Sequence, residues 1–188
     1  MSTVAEVKLW GRTIGAVALD DGSDTARFEY DAKFAQSGIE VAPLTMPLSG
    51  QVYQFPGLAQ GTFHGLPGLL SDSLPDKFGN ALIDAWLATQ GREPGSFNAV
   101  ERLCYMGNRG MGALEFLPVN GPKTSTAQKI HVDALVALAS EILTHREELS
   151  ASISGDKKKL QALKQILQVG TSAGGARAKA VIAWNPGA

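Results

Sequence analysis

Hydrophobic and polar positions alternate through the first third of the chain, and the spacing of the apolar positions then lengthens. Val7 and Leu9 alternate with polar neighbours, and Ile14, Ala16 and Ala18 do so after a turn at Gly11-Arg12. A period of two puts successive side chains on opposite faces of a strand, so one face meets a core and the other meets water. Asp20-Asp21-Gly22-Ser23-Asp24 is a turn signal, Ala26-Arg27-Phe28-Glu29-Tyr30 resumes the alternation, and Val52-Tyr53-Gln54-Phe55 is a further short strand. The pattern predicts a β-meander over residues 4–55. Segments 36–50 and 56–71, dense in Gly, Pro and Ser, read as connecting loops.

Helical spacing begins near residue 75. Pro75 suits a first helical position, with Asp72 or Ser73 as caps; Phe78, Leu82 and Trp86 repeat at four-residue spacing, and Gly91 ends the helix. A second helix is expected from a cap at Ser96 to Tyr105, with Val100, Leu103 and Cys104 on one side, followed by a glycine-rich turn and a strand over Ala113–Leu117. Pro118 to Ala127 has no periodicity and reads as a linker. Beyond it, Val132, Leu135, Leu138, Ala139 and Ile142 form one apolar face over residues 131–149, and Leu160, Leu163, Ile166 and Leu167 form another. Lys157, Lys158 and Lys159 open that last helix, as a solvated face or as a docking patch for an acidic partner. Ala180-Val181-Ile182-Ala183-Trp184 is strand-like. The expected class is α+β: a β-rich N-terminal unit closed by two helices, a linker, a helical pair and the opening of a new sheet.

Composition narrows the function classes. Seventeen basic against eighteen acidic residues argue against a dedicated nucleic-acid binder. A single cysteine, Cys104, excludes an intrachain disulfide and a cysteine-based zinc site, and its place on an apolar helical face marks a packed thiol rather than a nucleophile. No apolar run approaches the roughly 20 residues of a membrane span, and the N-terminus has no signal-peptide pattern, so the expected location is the cytoplasm.

Three segments carry candidate chemistry. Gly170-Thr171-Ser172-Ala173-Gly174-Gly175-Ala176-Arg177-Ala178-Lys179 combines small residues, two hydroxyls and two cations. Small residues let backbone N–H groups approach a phosphate, and Arg177 and Lys179 balance its charge. It is not a Walker A loop, because Ala176 stands where the lysine belongs, and a strand rather than a helix follows. That order is kinase-like, although a plain hairpin turn has the same composition. The second segment, residues 63–79, holds His64, which has no carboxylate or serine partner at catalytic spacing and reads as structural. Asp72 and Asp76 there form a possible carboxylate pair, but their position at a helix start favours capping. In the third, residues 105–116, Arg109 stands among glycines and is expected to be exposed, anchoring the turn or meeting an anion.

Taken in order, LPGLLSDSLPD (66–76), YMGNRGMGALEF (105–116) and GTSAGGARAKA (170–180) resemble the HipA family of serine/threonine-kinase toxins from bacterial type II toxin–antitoxin modules. The family pattern runs Leu-Pro-Gly-Leu to Asp-Ser-Leu-Pro-Asp, then Tyr-x-Gly-x-Arg-Gly-Met-Gly-Ala-Leu, then a Gly-Ser-x-Gly-Gly-Ala loop ending in lysine. The resemblance implies a β-barrel-like N-terminal subdomain over 1–117, a linker over 118–130, and the start of a kinase-like N-lobe over 131–188. It also implies nucleotide contacts at Gly174, Gly175, Ala176, Arg177, Ala178 and Lys179, and an inhibitory autophosphorylation site at Ser172, with Thr171 as the adjacent hydroxyl. A phosphate at Ser172 would add up to about two negative charges to an anion-binding loop and expel it from its ATP-bound position.

The implied cofactors are ATP and Mg2+, and the implied partners are a helix-turn-helix antitoxin and a protein substrate such as an aminoacyl-tRNA synthetase, with no direct nucleic-acid or membrane contact. In the family the catalytic aspartate, a further lysine and the magnesium ligands follow the phosphate loop, whereas this sequence reaches only Ala188. No catalytic or metal-binding residue is therefore assigned within it. Two alternatives stand beside the truncated kinase: a non-catalytic subunit binding a separate kinase or antitoxin, and an unrelated β-barrel module whose glycine loop is only a turn. The isolated chain is expected to transfer no phosphate from labelled ATP to a protein, and steady transfer would overturn that expectation.

Overall fold

The first strand pairs with the last one among the described residues. The computed structural model describes residues 2–110 and 112–122, together with helical positions Asp133, Val136, Ala137, Ser140, Gln161, Leu163 and Ile166. It divides into two compact units, Met1–Leu74 with Phe97–Gly121 and Pro75–Ser96 with Pro122–Ala188.

In the first unit, β1 (Ser2–Leu9), β2 (Arg12–Asp20), β3 (Arg27–Tyr30) and β4 (Val52–Tyr53) form an antiparallel meander, and β5 (Leu114–Leu117) pairs with the free side of β1. The spatial order is therefore β4-β3-β2-β1-β5. Ala5, Val7, Val17, Phe28 and Tyr30 are buried, while Val4, Ala16, Arg27, Glu29 and Val52 face water. In β2 the face expected through Ile14, Ala16 and Ala18 holds only at Ile14, because a bulge opposite Val7 and Lys8 shifts the register and turns Val17 inward and Ala16 outward. The sheet is open, which corrects the barrel-like expectation. β4 contributes only two residues before Pro56, which has no N–H to give a ladder, so the strand is too short to carry pairing around to β5.

Over the inner face lies α5 (Ala99–Met106), which packs on β1, β2 and β5. Its Val100, Leu103 and Cys104 join Ile14, Phe28, Leu66, Leu70 and Phe116 in one core. Burying a side chain such as Leu103 is worth about 2 kcal/mol. Phe28 meets Tyr30 edge-on at 4.9 Å between centroids, and Tyr30 stacks on Phe34 at 5.9 Å.

The loop readings of 36–50 and 56–71 need correction in part. Three single-turn helices, α1 (Ala32–Ala35), α2 (Gln60–Phe63) and α3 (Gly68–Ser71), border or interrupt those stretches. The segment between α1 and β4 is pinned by two tyrosines: Tyr30 donates to the Met46 carbonyl at 2.8 Å, and the Tyr53 hydroxyl donates to the Pro47 carbonyl. The first hairpin turns one residue earlier than expected, at Trp10-Gly11, with Leu9 opposite Arg12. Both turn residues have positive φ, 48° and 76°, as a two-residue hairpin matched to strand twist requires.

In the second unit, α4 (Lys77–Thr89) is capped by Asp76, whose carboxylate accepts from the Gly79 N–H at 2.8 Å, rather than by Asp72 or Ser73. Gly91 (φ 71°) ends it as expected, with Arg92 N–H reaching the Leu87 carbonyl and Gly91 N–H the Ala88 carbonyl. Phe78, Leu82, Ile83 and Leu87 are buried. Leu163 and Ile166 are buried and Gln161 exposed, in keeping with the apolar face drawn from the sequence. Among the described residues, no helix is long and apolar enough to cross a membrane.

Two substitutions test this frame in opposite directions. A Cβ at Gly15 would strike the Glu29 carbonyl and come within 2.8 Å of the Phe28 ring. Gly15→Ala should therefore cost about 2–3 kcal/mol in chemical denaturation. Trp10→Asn should instead raise stability by about 1 kcal/mol, because a bulky residue holds a left-handed conformation there that asparagine adopts readily.

Candidate functional site

The two candidate segments that fall among the described residues meet in the first unit's core and act on backbone groups. Within residues 63–76, Leu66 and Leu70 are fully buried, and Leu69 and Leu74 pack against the same core. His64 is exposed, has φ 52°, and caps the C-terminus of α2 through its N–H to the Gln60 carbonyl. Gly65 follows at φ 75° and accepts from the Ala26 N–H at 2.8 Å; a Cβ there would collide with the Asp24 carbonyl. His64-Gly65 thus turns the chain against the β2–β3 loop, the structural role expected for the histidine. Asp72 closes α3 through its backbone and Asp76 caps α4 through its side chain, so each has a capping function.

The glycine-rich turn after α5 performs a complete end-capping. A helix leaves its last four carbonyls without intrahelical donors. Here the Leu103 carbonyl receives the Gly107 N–H at 2.9 Å, and the Met106 carbonyl receives the Arg109 N–H at 2.9 Å. The Cys104 carbonyl receives the Asn120 N–H at 3.0 Å, and the Tyr105 carbonyl receives Arg109 Nη2. The Arg109 guanidinium also lies over the Tyr105 ring, 4.8 Å from its centroid. Arg109 is half-buried rather than exposed as expected, and it anchors the turn, one of the two roles read from sequence.

This accounting explains the Tyr-x-Gly-x-Arg spacing. Gly107 has φ 56°, and the Val119 side chain sits where its Cβ would be, 2.9 Å from the nearest methyl groups. Arg109, four residues after Tyr105, folds back over the ring of the turn before it. Residues 119–121, read from sequence as the start of a linker, are laid along this turn.

At its N-terminus α5 has a capping box: Asn98 Oδ1 accepts the Glu101 N–H at 2.9 Å, and Glu101 accepts the Asn98 N–H at 2.8 Å. This displaces the expected cap at Ser96 by two residues. Asn98 Nδ2 also reaches Thr3 Oγ1 at 2.8 Å, tying the helix start to β1. Sequence reasoning missed a further tie, in which the Glu115 carboxylate accepts the Gly11 N–H at 3.0 Å and Ala113 the Trp10 N–H at 3.3 Å. These bonds hold the first hairpin's tip, where Trp10 is 81% exposed. No periodicity or spacing in the sequence signals a contact between residues 104 apart.

The expected nucleotide contacts, Gly174 to Lys179, and the expected modification site, Ser172, lie outside the described residues. Among the described residues there is no group of three or more His, Cys, Asp or Glu side chains placed to hold a metal ion. A sequence model of the HipA N-terminal domain matches residues 5–117. No curated protein and no solved structure matches the chain.

Cys104 offers a test of the core reading. Burial, with the Glu101 carboxylate adding to it, pushes its thiol from the usual 9.0 up to about 11. A raised folded-state value means that the neutral thiol's contribution is full below about pH 9 and is lost as pH rises towards 11. Stability should fall over that window, Cys104→Val should flatten the fall, and the native thiol should resist thiol reagents at pH 8.

Proposed function

This chain belongs to the HipA N-terminal domain family, and from that premise we propose that it is the N-terminal portion of a serine/threonine-kinase toxin. The observation that carries the reading is the family match over residues 5–117 together with the third segment, GTSAGGARAKA (170–180), downstream of it in family order. In the complete protein the product is a phosphorylated serine or threonine on a protein target, within a toxin–antitoxin setting.

The donor set of the third segment suits an anionic nucleotide. Backbone N–H groups at Gly174, Gly175, Ala176 and Ala178 would meet phosphate oxygens, and Arg177 and Lys179 would balance their charge. ATP with Mg2+ would supply the transferable γ-phosphoryl group. Ser172 is the proposed regulatory hydroxyl, acting through charge: a phosphate there competes with the nucleotide's own phosphates. A helix-turn-helix antitoxin is the proposed partner, and an aminoacyl-tRNA synthetase is one candidate target.

The test starts from the gene. The reading frame that carries this sequence should also encode an aspartate-bearing catalytic loop and magnesium ligands, and its full product should transfer labelled phosphate from ATP to protein. Ser172→Asp in that product should weaken nucleotide binding at least about tenfold, the cost of one like-charge contact in a phosphate site. A frame without those catalytic residues, beside a separate kinase gene, would replace this reading with the non-catalytic subunit.

A further inference from the structure

We infer that residues 119–121 form a latched strap that opens independently of the sheet, with Arg109 as the latch. The strap's hold is local and short. Asn120 gives one backbone hydrogen bond, to the Cys104 carbonyl at 3.0 Å, and the Val119 side chain rests against Gly107. Gly121 lies against the Arg109 guanidinium and the Tyr105 carbonyl, so closely that a Cβ would collide with the first and stand 2.5 Å from the second.

Outside these contacts the strap faces water: Pro118, Val119 and Asn120 are all exposed. The strands next to it are held otherwise, by backbone ladders and a buried face. Segments with few buried contacts and exposed backbone open at a lower free energy than core strands, so the strap is the part of this region that releases first.

The latch itself is a side chain rather than a ladder. Arg109 clamps the turn twice, by Nη2 on the Tyr105 carbonyl and by its face on the Tyr105 ring, and Gly121 closes over the same guanidinium. Release of residues 119–121 changes where the following chain starts. Latched, the path to Pro122 begins at the end of α5; released, it begins at Pro118, and three more extended residues add about 10 Å of reach. The strap is thus a short segment with a latched and a released position, and its latch is built from Tyr105, Arg109 and Gly121.

Hydrogen exchange on the full chain tests this. Arg109→Ala should speed exchange of the 118–122 peptide at least about tenfold, since the hydrogen bond to the Tyr105 carbonyl and the contact with its ring are both lost. Exchange in β1 and β2 should stay unchanged. Gly121→Ala, which attacks the latch from the strap side, should give the same local effect, and the double variant should be no faster than either single one. Equal acceleration in β1 and β2 would show that the strap opens only with the whole unit and would overturn the inference, as would unchanged exchange at 118–122 in both variants. Arg109→Lys keeps the charge but not the planar fork; it should fall between wild type and alanine, and wild-type behaviour in it would assign the latch to charge alone.

Discussion

Glu6–Leu9 lie beside Leu114–Leu117, so the two ends of the first unit are neighbours in one sheet. This pairing closes a loop of about a hundred residues, whose entropy must be offset by contacts made elsewhere. The offset comes from one core. Leu66 and Leu70 enter it from the segment before α4, Val100 and Leu103 from α5, and Phe116 from β5 itself. Asn98 to Thr3 and Glu115 to Gly11 then fasten the late chain to the early chain by side chains. Remove the β1–β5 pairing and α5 loses the strand pair on which it rests.

This constraint gives the two family-like segments of the described chain a physical meaning. LPGLLSDSLPD delivers leucines to the core, stops α3 and starts α4. YMGNRGMGALEF ends α5, satisfies its carbonyls and leads into the strand that pairs with β1. The contacts described for both segments are those of framework: core packing, helix caps and a turn. The chemistry that the family resemblance implies is carried by residues 170–180, where glycines, hydroxyls and cations coincide.

Much of this frame was legible because periodicity reports burial. The alternation through Val7, Phe28 and Tyr30 named the inner face, although a bulge in the first hairpin put Val17 rather than Ala16 on it, and Val100, Leu103 and Cys104 named the inner side of α5. What escaped was local or long-range. Single-turn helices are too short to show a period; α1 has a side-chain cap in Asp31, bonded to the Lys33 and Phe34 N–H groups, while α2 and α3 have none. Asn98 was hidden because Ser96 is an equally good cap by type, and only Glu101 at the third helical position distinguishes them. The barrel-like form was what the family resemblance implied, and two residues at β4 cannot continue a ladder. For the candidate site, residue types and order were legible, but no spacing rule says that Arg109 folds back on Tyr105.

The α5 terminus shows why an arginine serves there and a lysine does not. Four carbonyls need donors, and the turn that follows holds three glycines, at 107, 110 and 112, which bring backbone N–H groups but no side-chain donors. Gly107 and Arg109 serve two carbonyls through their backbones, and Asn120 reaches a third only because the chain doubles back after β5. The remaining one, at Tyr105, is served by a side chain that must also lie flat on an aromatic ring. A planar guanidinium meets both conditions, since its edge donates while its face stacks; an ammonium group has no such face. The same planarity leaves a thin slot that only a glycine backbone fits, and Gly121 occupies it. Residue type at 109 and residue type at 121 are therefore one choice made twice.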